Sequence, residues 1–144
     1  VSAAAAIAAD ASLDSDALSL PLVACLAGLR SAIEHMRSAF DTWSDRGDWW
    51  TPLDAADSPL RRARGQATAL RAVMPGHSRR VRLADKAVER VAEALAVVQG
   101  LPPLPLDLDT CTDQDAIDTE ETVLAVVERA FGAAERAIGA AATP

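Results

Sequence analysis

A chain of 144 residues with a formal net charge of −7 has the length of one domain, and its acidic balance argues against general nucleic-acid binding, which needs a basic footprint. Half of the residues are hydrophobic, enough for a core, although many are alanines that favour helix and bring little apolar area each. β-Branched and aromatic residues are too sparse for a sheet protein.

The opening VSAAAAIAADAS reads as an Ala-rich N-terminal arm covering residues 1–14. Its small residues resemble the surroundings of a signal or transit cleavage site, and the expectation is a processed chain targeted to a non-cytosolic compartment. A first helix is predicted over 15–45. Its apolar series Leu18, Leu22, Leu26, Leu29, Ile33, Met36, Phe40 and Trp43 alternates steps of three and four, the seam of a bundle helix. Gly47 offers a left-handed stop after it. The uncharged stretch ALSLPLVACLAGL, residues 17–29, is too short to cross a bilayer, which takes roughly 20 residues.

Thr51-Pro52 and Ser58-Pro59 each read as a cap followed by proline at the first helical position. They predict a short turn from 52 and a second helix over 59–74, with Leu60, Ala63, Ala67, Leu70 and Met74 as its apolar series and Pro75-Gly76 as its end. A third helix over 78–99 follows from Val81, Ala84, Val88, Val91, Leu95 and Val98. Pro102, Pro103 and Pro105 then impose an extended connection. A fourth helix over 112–140 carries Ile117, Leu124, Val127, Phe131, Ala134 and Ile138, with aspartates crowding its start, where the helix dipole favours them. The first two links are short, so neighbouring helices lie antiparallel. The expected fold is all-α, an up-down-up-down four-helix bundle with an extended N-terminal arm.

Motifs for chemistry fail one after another. His35 and His77 have no second ligand at helical spacing. Asp107, Asp109, Asp113 and Asp115 invite a calcium reading, but an EF-hand counted from Asp107 needs Gly and Glu where Thr112 and Asp118 stand. Cys25 and Cys111 fall near opposite ends of an up-down-up-down bundle, about 30 Å apart by helix rise, so they read as free thiols. No phosphate loop or nucleophile elbow is present. The expectation is a protein with no catalytic residues, no cofactor and no metal.

Two features remain as partner-binding candidates. Trp43 continues the seam of helix one. Trp49 and Trp50 are adjacent and point differently, so either both close the bundle end or one staples the corner and the other faces a partner. The second feature is basic. Residues 61–90 hold nine of the 14 cations and only two acids, whereas 101–128 hold eight acids and no cation. Arg61, Arg62, Arg64 and Arg71 on helix two, with Arg79, Arg80, Arg82, Lys86 and Arg90 on helix three, make one broad basic face plausible. It either pairs with acids on helices one and four or docks an acidic protein surface.

Residues 43–100 resemble the PsbQ-like extrinsic subunits of photosystem II. That family shows a Trp before helix two, a Gly-Pro-Leu start with Leu-Arg following, and a Leu-Pro end. Here stand Trp49 or Trp50, then Ser58-Pro59-Leu60-Arg61, then Leu70-Arg71 and Val73-Met74-Pro75. Ser58 takes the place of the Gly, and Tyr is absent. The resemblance implies a lumenal protein peripheral to the thylakoid membrane of a chloroplast. It would bind the photosystem II core and the other extrinsic subunits, and help the oxygen-evolving complex retain calcium and chloride without carrying them. The rival expectation is a secreted four-helix inhibitor or binding module similar to invertase and pectin methylesterase inhibitors.

Overall fold

Four helices form, α1 (Ala3–Ser44), α2 (Trp50–Val73), α3 (Arg79–Gln99) and α4 (Asp113–Ala142). The computed structural model describes the backbone of residues 3–45, 47–74, 78–102 and 113–143, and the side chains of 20–45, 47–74, 78–102 and 117–143. α1 packs on α2, α2 on α3 and α3 on α4, and α1 closes the bundle against α3 and α4. The direction of each pair is visible in its cross-links. Gly28, mid-way along α1, lies against Pro59 and Ala63 of α2, while the last turn of α1 adjoins the first of α2. Arg71 near the end of α2 pairs with Asp85 near the start of α3. Arg37 of α1 pairs with Glu135 of α4. The arrangement is the expected up-down-up-down bundle.

The apolar series account for the core. Leu22, Leu26, Leu29, Ile33, Met36, Phe40 and Trp43 of α1 are buried, as are Leu60, Ala63, Ala67 and Leu70 of α2 and Val81, Ala84, Val91, Leu95 and Val98 of α3. Alanines and a glycine occupy much of the facing surface of α1 and α2: Gly28, Ala32 and Ala39 against Ala56, Ala63 and Ala67. Small side chains bring the two backbones close, and dispersion between them replaces the apolar area that larger residues would supply.

Several boundaries differ from expectation, each for a local reason. α1 begins at Ala3, so the Ala-rich segment is helix rather than an extended arm. It contains neither Gly nor Pro before Pro21, and alanine is the strongest helix former. α2 begins at Trp50 instead of residue 59. Trp49 is its N-cap without a side-chain cap bond; one residue earlier Asp48 accepts the Trp50 backbone N–H and the Thr51 hydroxyl at 3.0 Å each, and Pro52 falls in the first turn, where proline is tolerated. Pro59 then lies inside the helix. An interior proline costs about 3 kcal/mol, and burial of Leu53, Ala56 and Pro59 itself offsets it. Gly47 does not adopt a left-handed conformation. Its N–H reaches back to the Thr42 carbonyl at 2.8 Å, and an added Cβ would lie 2.8 Å from Thr42 Cγ2. Space, not backbone dihedral, requires glycine there.

α4 departs most. Val127, Phe131, Ala134 and Ile138 are buried, but Ile117 and Leu124 are 46% and 45% exposed. α4 is the longer helix, with 30 residues against 21 in α3, and both side chains border an open groove with Phe40, Trp43 and Ser44 of α1.

Cys25 is a free thiol with no exposed surface. Burial, with the Asp85 carboxylate adding to it, pushes its pKa up from 9.0 to about 11. The folded state therefore holds this proton more tightly than the unfolded chain. The resulting stability is intact below pH 9 and is lost as pH rises from 9 to 11, by up to about 1.4 kcal/mol per pH unit. Cys25→Ala should flatten that alkaline decline in denaturant unfolding; an unchanged slope would place its cause elsewhere. Cys111 lies outside the described residues.

Candidate docking surface

The three tryptophans have three different environments, and the turn between α1 and α2 sets them. Trp43 closes the α1 seam. It is buried, stacks on Phe40 with ring centroids 5.5 Å apart, and donates its indole N–H to the Pro102 carbonyl at 2.6 Å. One side chain thereby ties the end of α1 to the chain leaving α3. Trp49 is half-buried against the core, and its indole N–H has no hydrogen-bond partner among the described residues. Trp50, the first residue of α2, is 51% exposed and stacks on Trp49 with centroids 5.3 Å apart and planes inclined by 26°. Of the two alternatives the pair left open, the geometry is that of one ring packed into the corner and its neighbour standing outside.

The arginines are not gathered into one continuous face. Arg61, Arg62 and Arg64 are exposed on α2. Arg61 pairs with Asp57 one turn earlier, and Arg71 crosses to Asp85 of α3. Helical spacing puts Arg82 on the Asp85 flank, facing α2. Arg79, also exposed, starts α3. Arg80 turns the other way, into a groove with Leu22, Leu26 and Arg30 of α1 and Ala141 of α4. Lys86 and Arg90 border the α3–α4 groove beside Arg136, with Arg90 held by Glu93 at 2.8 Å. The cations of α3 thus radiate around the helix. The surface pairs among them contribute only about 0–1 kcal/mol each.

The opposite end of the bundle is acidic and partly apolar. Between residues 41 and 57 the chain has five aspartates and one arginine. A groove joins Phe40, Trp43 and Ser44 of α1 to Ile117, Glu120, Glu121 and Leu124 of α4. This end collects Trp50, Ile117 and Leu124, three of the exposed large hydrophobic side chains. The exposure of Ile117 and Leu124 was missed because their spacing continues the buried series.

No polar or charged side chain is buried among the described residues, and no group of three His, Cys, Asp or Glu among them is placed to hold a metal ion. His35 is half-buried on α1; His77 and the acids from Asp107 to Asp115 fall outside the described side chains. No described helix is long and apolar enough to cross a membrane.

No family model, curated protein or solved structure matches the chain. That finding corrects the terms that the PsbQ-like resemblance brought with it: photosynthesis, photosystem II, oxygen-evolving complex, thylakoid lumen and chloroplast. The fold also removes a pillar of the resemblance. Ser58-Pro59-Leu60-Arg61 does not open helix two but lies in the interior of α2, and the first turn of that helix is built from Trp50, Thr51 and Pro52.

Proposed function

We propose that this protein is a non-catalytic docking module, a rigid helical bundle that binds another macromolecule through the corner between α1 and α2. The observation that carries the reading is Trp50. Leaving half of an indole in water forgoes apolar burial worth about 25 cal/mol per Å², and the residue is held in place by the stack on Trp49 and by the bond from its backbone N–H to Asp48. A fixed, half-exposed tryptophan is the residue type most enriched at binding hot spots. Cys25 is the titratable side chain buried among the described residues, and burial raises its pKa, which keeps the thiol protonated rather than as the thiolate a nucleophile needs. The inhibitor-like alternative relies on disulfides in and around the bundle, and Cys25 is a buried free thiol in this one.

Affinity capture from the native source with wild type and with Trp50→Ala tests the reading. Trp50→Ala should keep its melting temperature within a few degrees, because the ring is half exposed, and should lose the captured partner. A companion variant reversing Arg61, Arg62 and Arg64 to Glu should also fold, since these side chains are exposed and only Arg61 makes an ion pair among the described residues. If that variant loses the partner while Trp50→Ala keeps it, the docking surface is the arginine flank of α2 and not the corner.

A further inference from the structure

We infer that the partner segment received at the Trp50 corner is cationic, an arginine- or lysine-rich stretch of polypeptide. The inference rests on the docking reading above and adds the chemistry of the occupant. It starts from the company Trp50 keeps. Asp48 sits at the foot of the ring, its two carboxylate oxygens fixed by the Trp50 N–H and the Thr51 hydroxyl. Asp54, one turn further along α2, occupies the same flank as Trp50 by helical spacing and is exposed. Asp45 is exposed at the end of α1. Neither Asp45 nor Asp54 makes an ion pair among the described residues. The acids of α4 that border the adjoining groove, Glu120 and Glu121, lie at this same end, and no cation occurs anywhere between residues 101 and 128.

An indole face attracts a cation through its quadrupole, more strongly for Arg than for Lys. Here the attraction from the ring and the Coulomb field of the surrounding carboxylates point to the same place. A guanidinium laid on the open part of Trp50 would remain within reach of Asp48 or Asp54, and its apolar stem would cover the ring edge. An acidic peptide, a nucleic acid or an anionic membrane surface would meet repulsion at this end. The cation-rich start of α3, with Arg79 and Arg82 exposed, lies at the far end of the bundle and does not neutralise it.

A short oligoarginine peptide, titrated into the isotopically labelled full chain, tests this. The side-chain indole resonance of Trp50, assigned by its disappearance in Trp50→Phe, should shift and saturate. Affinity should fall as salt is raised, and about tenfold or more in Trp50→Ala and in Asp54→Lys. Diffuse attraction to a chain of charge −7 would leave the Trp50 resonance unmoved and Trp50→Ala binding as tightly as wild type, and that result overturns the inference. An uncharged leucine–serine peptide separates the two levels. If it shifts Trp50 and oligoarginine does not, the corner docks partners but not cationic ones. If neither peptide shifts Trp50, the docking reading fails with the inference. Melting curves of both variants, expected close to wild type because residues 50 and 54 are exposed, exclude misfolding as the cause of any loss.

Discussion

Gly28→Ala is expected to destabilise the bundle by about 1–3 kcal/mol, the usual cost of overpacking, and Gly28→Leu to prevent cooperative folding. On an isolated helix the first change would help, since alanine exceeds glycine in helix propensity by about 1 kcal/mol. The tertiary contact reverses the sign. A Cβ at position 28 would stand 2.7 Å from the Pro59 carbonyl oxygen, 3.3 Å from the Ala63 backbone nitrogen and 3.1 Å from Ala63 Cβ. Two of those three neighbours are backbone, which no rotamer change moves aside. Relief requires α1 and α2 to separate, and their pairing is the most extensive among the described residues. Ala63→Gly in the Gly28→Ala background should therefore restore little, because the Pro59 carbonyl remains. Denaturant unfolding with an unchanged m value measures the loss. A stabilised Gly28→Ala would mean that the helices do not approach as closely as described.

Trp43→Ala should cost about 3–5 kcal/mol, as expected for truncating a fully buried large aromatic. Trp43 heads the largest side chains with almost no exposed surface. It fills the bundle end beside Phe40 and anchors Pro102 through its indole N–H. Trp43→Phe separates the two contributions: it keeps most of the apolar contact and leaves the Pro102 carbonyl without that donor, at an expected cost of about 1–3 kcal/mol. Trp50→Ala, seven residues on, should cost a small fraction of Trp43→Ala. That contrast between two members of one aromatic corner distinguishes a packing role from a surface role. If Trp50→Ala unfolds the protein as readily as Trp43→Ala does, the second ring is structural and the corner has nothing to offer a partner.

The interior was legible position by position because helical periodicity is local. Leu29, Met36 and Trp43 repeat at seven-residue intervals, and all three are buried. Wherever apolar residues recur along one side of a helix, the hydrophobic effect leaves few ways to bury them. The helix starts were less legible, because a cap is a short-range competition with several winners. Ser58-Pro59 is a strong opening signal, but α2 starts nine residues earlier, at Trp50, and once it is nucleated its packing on α1 carries it through the proline. The photosynthetic reading leaned on that same Ser-Pro-Leu-Arg stretch, and a motif of four common residues means little when its structural setting is different.

Composition and periodicity by themselves determined that this is an all-helical chain, that four amphipathic segments form its bundle, and which side of most helices faces inward. Those properties follow from residues a few positions apart. Only the assembled bundle decided that Trp49 turns in while Trp50 stands out, that Arg71 meets Asp85 across α2 and α3, and that Ile117 and Leu124 stay exposed although they continue the buried series. Burial is a property of what stands opposite, and what stands opposite is set by helix lengths and corners far away along the chain.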